Sequence, residues 1–178
     1  MRWIWIDRVL ELERGKRLVA IKNITMAEDH LHDHFPEVRD DAGQLVHPAT
    51  PVMPGSLVIE GMAQTAGILV GHAEDFREKV VLAKVTRATL DRDATPGTTI
   101  RHTAELAMHS EQGAATKGTV DLFDHAHPDA GWVTIGKIDL MFSHLDQNIA
   151  GTEFPDHNFV FSETFRTLLV NSGIGCDF

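Results

Sequence analysis

Alternating and β-branched apolar residues near the start of the chain predict a β-hairpin. Val9 to Leu12 and Leu18 to Ile24 flank the polar stretch from Glu13 to Lys16, where Gly15 provides the backbone freedom of a tight turn. Because β-branched side chains are frequent in the second segment, we expect it to belong to a half-buried sheet.

A nearly continuous apolar segment from Leu57 to Val70 predicts a buried helix. Glu60 and Gln64 are its only strongly polar residues. The segment is too short to span a bilayer, a carboxylate near its middle is costly in lipid, and a helix that is apolar on all sides in a soluble protein is buried. We expect Pro54 to stand at its first turn. One face carries small residues, at which we expect the sheet backbone to approach closely: Ala63, Gly67 and Gly71.

After this helix the pattern returns to strands separated by turn signals. A hairpin, one buried helix and four further strands predict an α+β fold, in which one antiparallel sheet folds around a central helix. We interpret residues 1–143 as one domain and residues 144–178 as a C-terminal extension, with a short helix from Ser162 to Val170 capped by Ser162. The four strands are expected at Val80–Leu90, Thr98–Met108, Ala114–Phe123 and Gly131–Phe142.

Composition and charge narrow the classes of function. The 178 residues fit a single domain, and 16 Lys and Arg against 26 Asp and Glu give a net charge of −10. This acidic balance argues against nucleic acid or an anionic membrane as the main partner. Cys176 is the only cysteine, which excludes an intramolecular disulfide framework and a multi-cysteine zinc site. Charged residues within the first ten positions, with no apolar signal core, predict a cytoplasmic protein.

Glu60 is the residue that points most directly to chemistry. A carboxylate within an apolar helix is paired, neutralised or retained for function. Burial raises the pKa of a carboxyl group, and a Glu that is protonated near neutral pH acts as a general acid. Gln64 follows one helical turn later on the same face. The residues alone leave open whether Glu60 is a satisfied buried carboxylate or a functional one.

The histidines are a second group of candidates. His30, His32 and His34 alternate, so on a strand they would share one face, and three histidines on one face match a zinc site. The alternative, which we prefer for His30 and His32, is a solvated loop or strand. His34 differs because Phe35-Pro36 follows it.

The start of the helix is a third element, because the N–H groups of a first turn polarise a carbonyl oxygen. The alternative is an ordinary helix start. His34 as base, Glu60 as acid and the Gly55 N–H as oxyanion donor would suit the reversible elimination of water from a 3-hydroxyacyl thioester. On composition and spacing alone, this reaction is one idea among several.

One segment is a specific motif: Pro51 to Gln64 contains Pro-Val-Met-Pro-Gly, followed by Leu-Val-Ile-Glu-Gly-Met-Ala-Gln. Shorter motifs accompany it at Ile6–Val9, Gly15–Arg17, Lys22–Thr25 and His34–Pro36. In these stretches the chain resembles the β-hydroxyacyl-acyl-carrier-protein (ACP) dehydratases of fatty acid synthesis, the FabZ/FabA type. Weaker likeness continues to about Phe142.

The resemblance implies a hotdog fold, in which the sheet wraps around the helix, and an obligate homodimer that often assembles into a hexamer as a trimer of dimers. It implies that each site spans the dimer interface, with His34 as the catalytic base from one subunit and Glu60 as the catalytic acid from the other. Glu rather than Asp at position 60 resembles the FabZ side of the family, which favours dehydration without double-bond isomerisation. The residues that the resemblance assigns to substrate binding or support of the acid are Gly55, Gln64, Phe35 and Pro54.

Three departures from the family pattern lie near the predicted site. His34 and Glu60 are 26 positions apart (60 − 34), more than in the family, so the resemblance implies an insertion at about residues 37–50, in which His47 becomes a rival base. Glu37 replaces the usual Gly after His-Phe-Pro, and a negative charge there would raise the pKa of a neighbouring imidazole. The chain has no Tyr, which often gates the acyl tunnel in this family.

The sequence therefore predicts a cytoplasmic dehydratase that converts (3R)-3-hydroxyacyl-ACP into trans-2-enoyl-ACP and water. The resemblance implies an ACP or coenzyme A thioester as partner, and neither metal nor organic cofactor, because the phosphopantetheine arm arrives on the substrate. The alternatives are a hotdog acyl thioesterase and a non-catalytic hotdog subunit that binds acyl-ACP. Basic residues that would dock an acidic carrier protein are Lys84, Arg87, Arg92 and Arg101.

Overall fold

One antiparallel sheet and one long helix dominate the structure, a computed structural model that describes residues 3–145, 148–149, 152–153 and 160–176. The helices are α1 (Asp29–Asp33), α2 (Gly55–Ala73) and α3 (Glu163–Asn171), with a 3-10 turn at Pro128–Ala130. The strands are β1 (Arg8–Glu13), β2 (Arg17–Asn23), β3 (Val38–Arg39), β4 (Leu45–His47), β5 (Val80–Leu90), β6 (Thr98–Ser110), β7 (Gly113–Asp124), β8 (Trp132–His144), β9 (Asn148–Ile149) and β10 (Thr152–Glu153).

The main sheet has six strands in the order β1-β2-β6-β7-β8-β5, and every neighbouring pair is antiparallel. The predicted α+β architecture is confirmed. The turn between β1 and β2 contains Gly15, with a φ of +66°, as the hairpin pattern predicts. The four strands that follow α2 agree with the predicted bounds to within two residues at each end, because apolar runs and turn residues mark them clearly.

Helix α2 is buried against the sheet, as its apolar sequence predicts. Met62, Ile68 and Leu69 have no exposed surface. Pro54 is the residue that precedes the first helical turn, and its carbonyl accepts a hydrogen bond from the Leu57 N–H at 2.8 Å. No helix of the described residues is long and apolar enough to cross a membrane.

The small residues of α2 fit aromatic rings, not the sheet backbone, which corrects the expectation for this face. A Cβ added to Gly71 would lie 2.6 Å from Cζ of Phe161, and one added to Gly67 would lie 3.8 Å from another phenylalanine ring. A close backbone approach occurs instead at Gly61, where an added Cβ would lie 2.9 Å from the carbonyl oxygen of Trp5.

The histidine-rich segment is helical, so the alternative of a strand with three histidines on one face is wrong. A single helical turn, α1, contains His30 and ends at Asp33, and His34 is the residue that follows it. The His30 ring is half-buried with its centroid 5.1 Å from that of Trp5, so this histidine is packed, not solvated, and burial lowers the pKa of its imidazole. The side chain of His32 lies outside the described part of the chain.

The implied insertion folds into a short exposed hairpin, where the sequence pattern indicates only loop. Strands β3 and β4 pair Val38 with His47 and Arg39 with Leu45. After this hairpin, the Thr50 N–H donates a hydrogen bond to the carbonyl oxygen of Phe35 at 3.0 Å, which joins the end of the insertion to the residue after His34.

Residues 160–176 pack onto the same core as the sheet and α2. Leu169 of α3 is fully buried, and the Val9 N–H of β1 donates to Oγ of Ser172 at 3.1 Å. The predicted helix of the extension is present, although the Ser162 side chain makes no capping hydrogen bond. Strand β8 ends at His144, the first residue of the interpreted extension, and much of the connection to α3 lies outside the described residues.

Candidate active site

Glu60 is held by two donors that bind the same carboxylate oxygen. The Trp3 indole Nε1–H and the Gln64 Nε2–H each donate to Oε1 at 3.0 Å. Gln64 also accepts from the Trp5 N–H at 2.8 Å, and its Nε2 lies 3.4 Å from the Trp3 carbonyl oxygen. Within the described residues Oε2 has no hydrogen-bond partner, which leaves it available for proton transfer. The carboxylate is half-buried, less enclosed than the apolar sequence around it indicates.

A cavity of about 300 Å³ opens beside Glu60. Helix α2 contributes Glu60, Gln64 and two small residues to its lining, and the ends of β5 and β8 contribute apolar side chains. The remaining wall comes from the C-terminal segment. Its lining residues are Trp3, Glu60, Ala63, Gln64, Gly67, Val80, Val81, Leu82, Phe142, Val160, Phe161 and Phe165. A carboxyl group at one end of an apolar cavity is the arrangement expected for a site that acts on an apolar chain.

His34 is fixed by the backbone immediately before α2. Its Nδ1 lies 2.8 Å from the carbonyl oxygen of Val52. A carbonyl only accepts hydrogen bonds, so Nδ1 carries the proton and the Nε2 lone pair remains available as a base. The half-buried imidazole also lies against the ring of Phe35, with centroids 4.2 Å apart.

Two of the predicted substrate-binding residues, Pro54 and Gly55, form the start of α2. Gly55 is the first residue of α2, and an added Cβ there would lie 3.3 Å from the Leu90 side chain, so a larger residue would require a small shift of Leu90. The N–H groups of a first turn lack intrahelical acceptors and are suited to bind a carbonyl oxygen. Phe35 has a φ of +59° and a 59% exposed side chain; this conformation is rare for a residue other than Gly.

The insertion brings the rival base close to Phe35. His47, Phe35 and Pro36 line a second cavity of about 430 Å³. The side chain of His47 is exposed and makes no hydrogen bond to any described residue. The carboxylate of Glu37 accepts from Nε of Arg39 at 2.6 Å, so its charge is compensated within the insertion.

No hydrogen bond, ion pair or ring contact joins His34 to Glu60 within the described part of one chain. His34 contacts Val52 and Phe35, whereas Glu60 contacts Trp3 and Gln64. Each half of the predicted pair is therefore anchored by its own neighbours.

The basic candidates for carrier docking differ in availability. Arg101 donates to Asp121 at 2.8 and 3.1 Å and lies over the Trp132 ring, 4.3 Å from its centroid, which gives it a structural role. Lys84 and Arg92 form no ion pair with any described carboxylate, and both are exposed.

The architecture and the site together define a class. A six-stranded antiparallel sheet around one helix, with a carboxylate of that helix at an apolar cavity, is a hotdog fold. The chain belongs to the FabZ/FabA-type family of β-hydroxyacyl-ACP dehydratases, since the model of the FabA-like domain matches residues 3–125. The predicted fold and family are both confirmed.

Individual relatives agree with this assignment. The 3-hydroxyacyl-[acyl-carrier-protein] dehydratase FabZ of Caldanaerobacter subterraneus subsp. tengcongensis is 38% identical over 96 residues, 53% of this chain and 60% of that protein. FabZ of Clostridium kluyveri is 33% identical over 118 residues, 66% of this chain and 74% of that protein. The structure of the dehydratase heterocomplex ApeI:P from Xenorhabdus doucetiae matches with a TM-score of 0.56 and 15% identity, covering 81% of this chain and 84% of that one; this match shows the fold.

Sequence reasoning missed Trp3 and the two phenylalanines of the C-terminal segment. Trp3 is 57 positions from Glu60, and a contact over that separation leaves no mark in local periodicity. Phe161 lies just before α3 and Phe165 lies within it. The sequence pattern of this helix predicts an apolar face but does not indicate which residues that face covers.

Proposed function

We propose that this protein catalyses the dehydration of (3R)-3-hydroxyacyl-ACP to trans-2-enoyl-ACP in fatty acid or specialised lipid biosynthesis. Membership of the dehydratase family gives the reaction class. The single observation that carries the proposal is Glu60, which lines an apolar cavity and accepts both of its hydrogen bonds on Oε1. A carboxyl group protonated on Oε2 retains Oε1 as an acceptor, so this arrangement suits a general acid.

In the proposed mechanism His34 is the base and Glu60 the acid. The Gly55 N–H polarises the thioester carbonyl and thereby acidifies the C2 proton. Nε2 of His34 removes this proton, the C2 electron pair forms the C2=C3 double bond, and the C3–O bond breaks. The hydroxyl group leaves with the Oε2 proton of Glu60 as water. After the product leaves, a proton passes through water from protonated His34 to the Glu60 carboxylate, which restores neutral His34 and protonated Glu60.

Gln64, Phe35 and Pro54 support this chemistry in different ways. Gln64 orients the acid through its 3.0 Å hydrogen bond. Phe35 lies against the His34 ring, and Pro54 sets the helix start that presents the Gly55 N–H. These roles are part of the proposal.

The proposed active unit is a homodimer formed through β5, with His34 and Glu60 of each site from different subunits. Strand β5 is an 11-residue edge of the sheet, and an uncovered edge of this length favours pairing with another strand. Leu82 and Val85 of this strand are 42% and 40% exposed. Val85 is paired with the buried Leu140, so it is exposed although it lies on the inner face of the sheet. A second copy would cover these two apolar side chains, and three such dimers would form the hexamer.

The remaining parts of the proposal concern the surroundings of the reaction. The acyl chain arrives on ACP or coenzyme A, and Lys84 and Arg92 are the exposed cations proposed to dock an acidic carrier. No metal or organic cofactor takes part in the proposed steps. We place the reaction in the cytoplasm.

The first test is turnover of 3-hydroxybutyryl-ACP and crotonyl-ACP, with the coenzyme A thioesters in parallel, by wild type, His34→Ala and His47→Ala. We expect interconversion by wild type and His47→Ala and loss in His34→Ala. Loss confined to His47→Ala would transfer the base to the insertion. Release of free thiol and free acid would identify a thioesterase, and binding without turnover in wild type would identify a non-catalytic subunit.

The shared site has its own test, because His34→Ala and Glu60→Gln are expected to be inactive alone. In a mixed dimer one of the two sites combines both substituted residues and the other is intact. Random mixing makes half of the dimers mixed, so about a quarter of wild-type activity should return in a two-fold symmetric assembly. No recovery after verified subunit exchange would contradict the proposal that the two residues come from different subunits.

A further inference from the structure

The cavity beside Glu60 follows one face of α2 and meets the C-terminal segment at its far end. Glu60, Ala63, Gln64 and Gly67 are spaced as neighbours on a single helix face, and all four line the cavity. The next small residue along α2, Gly71, is covered by Phe161. The helix face that starts at the proposed acid therefore ends at an aromatic ring.

We propose that Phe161 and Phe165 form the end wall of the acyl-binding cavity and limit the substrate to acyl chains of up to about twelve carbons. This inference rests on the proposed dehydratase function, in which C3 of the substrate lies at Glu60. It goes further by naming the residues that determine chain length, and both belong to the C-terminal segment. The match to the family model ends at residue 125, so this wall comes from a part of the chain that lies outside the matched residues.

The dimensions of the cavity set the limit. Seven residues from Glu60 to Gly67 correspond to about 10 Å along a helix, and an extended chain advances roughly 1.2 Å per bond, as in a peptide backbone. About eight bonds therefore fit beyond C3. The cavity volume of about 300 Å³ agrees, because an engineered cavity of about 150 Å³ in another protein holds the six carbons of benzene.

The two rings differ in how firmly they are held. Phe161 is 6% exposed and packs edge-to-face on Phe76 with centroids 5.0 Å apart. An added Cβ on Gly71 would be 2.6 Å from its Cζ, so the ring already touches the helix backbone. Phe165 is half-buried and contacts the Phe161 ring at 6.0 Å between centroids. Phe161 is thus the fixed part of the wall, and Phe165 is the part that a substitution can remove with less damage to the core.

The test compares kcat/KM for 3-hydroxyacyl-ACP substrates of four, eight, twelve and sixteen carbons in wild type, Phe165→Ala and Val170→Ala. Val170 lies on the same helix but is 59% exposed and does not line the cavity, so it is the matched control. In wild type and Val170→Ala we expect a rise towards eight carbons, with up to about fourfold for each methylene buried, and at least tenfold lower values at sixteen carbons than at eight. In Phe165→Ala the ratio of sixteen to eight carbons should rise at least tenfold, because the loss of a phenyl ring frees space for about six carbons.

A second variant moves the limit in the opposite direction. Gly67→Ala places a methyl group in the cavity, where the nearest ring atom is 3.8 Å away, so the fold accepts it. We expect the decline in kcat/KM to begin at a shorter chain length. Equal chain-length profiles in wild type, Phe165→Ala and Gly67→Ala would overturn the inference.

Binding of saturated acyl-ACP, which lacks the 3-hydroxyl group and does not react, separates this inference from the proposed reaction. A length limit that appears in calorimetry and moves in Phe165→Ala supports the wall even if wild type does not dehydrate any substrate. Dehydration of short substrates with tight binding of sixteen-carbon acyl-ACP by wild type supports the reaction and refutes the wall.

Discussion

The indole of Trp3 donates to Oε1 of Glu60 at 3.0 Å. A residue near the start of the chain therefore orients the proposed acid, which lies 57 positions further along the sequence. Gln64 donates to the same oxygen, so neither donor binds Oε2, the oxygen that carries the transferred proton in the proposed mechanism. The Trp3 side chain is 60% exposed and packs edge-to-face on the Trp5 ring, with centroids 5.3 Å apart.

We expect Trp3→Phe to lower kcat about tenfold while KM changes little. Phenylalanine keeps the aromatic ring but removes the donor, and a hydrogen bond to a charged group contributes about 1.5 kcal/mol, which corresponds to about tenfold in rate. Steady-state kinetics with 3-hydroxybutyryl-ACP measures both constants. Trp132→Phe is the control, since that ring lies over Arg101; an equal loss in the two variants would mean that the effect is general destabilisation.

The packing of α2 predicts that alanine substitutions at two of its glycines, Gly61 and Gly67, have opposite effects on the free energy of unfolding. In Gly61→Ala the new Cβ would lie 2.7 Å from Nε2 of the fully buried His102 and 2.9 Å from the Trp5 carbonyl oxygen, so we expect a loss of about 1–3 kcal/mol. In Gly67→Ala the nearest atom is 3.8 Å away, and the better helix propensity of Ala should add up to about 1 kcal/mol. Urea unfolding compares the two variants, and equal midpoints would contradict this account of the helix packing.

His102 makes the stability of the fold depend on pH. Burial lowers the pKa of its imidazole to about 3, and neither ring nitrogen has a hydrogen-bond partner among the described residues. The unfolded chain takes up this proton near pH 6.5, so between pH 6.5 and about 3 it binds one proton more than the folded chain. The free energy of unfolding should therefore fall with decreasing pH across this window, by up to about 1.4 kcal/mol per pH unit.

Replacement of His102 by Leu isolates this contribution. The variant has no group to protonate here and no unpartnered buried nitrogens, so we expect higher stability than wild type at pH 7 and a difference that grows as the pH falls to 5. Urea titrations at pH 7, 6 and 5 measure both quantities. Parallel pH dependence in the two proteins would show that His102 does not account for the loss.

The exposed edge at β5 predicts an association that a single charge should weaken. Val85→Lys places a cation among the exposed apolar side chains of β5, and burial of an unpaired charge in an interface is costly. We expect a monomer by light scattering at micromolar concentration and, because the proposed site is shared, loss of turnover together with the dimer. The control is Val170→Lys, which places the same charge at an exposed position of α3 and should remain a dimer. A monomeric Val85→Lys variant that is still active would contradict the shared site.

The parts of the fold that were predictable from sequence are those encoded by local periodicity. The apolar run that became α2 and the strands after it carry strong patterns, so their types and approximate bounds follow from the order of apolar, polar and turn residues. The turn around His30 was not predictable, because three alternating histidines resemble a strand and the contact of His30 with Trp5 joins residues that are distant in sequence. Tertiary packing overrides weak local preference at such places.

The residues proposed for the site could be identified as candidates from the sequence, whereas most of their contacts could not. Glu60 and Gln64 could be recognised as polar residues on an apolar helix, and His34 by its motif. The donation from Trp3 and the wall formed by Phe161 depend on contacts between segments 57 and 90 positions or more apart along the chain, and no local pattern records which segments meet.

Gln64 joins the first residues of the chain to the helix that carries the acid, through bonds to both Trp3 and Trp5. Segments with exposed side chains and few buried contacts open locally before the core does, and the Trp3 side chain is 60% exposed. Each such opening withdraws a hydrogen-bond donor from Glu60 while the sheet and α2 remain intact. Thermal inactivation should therefore precede thermal unfolding, and the lifetime of the active state is governed by how tightly the amino-terminal segment is held and not by the strength of the core.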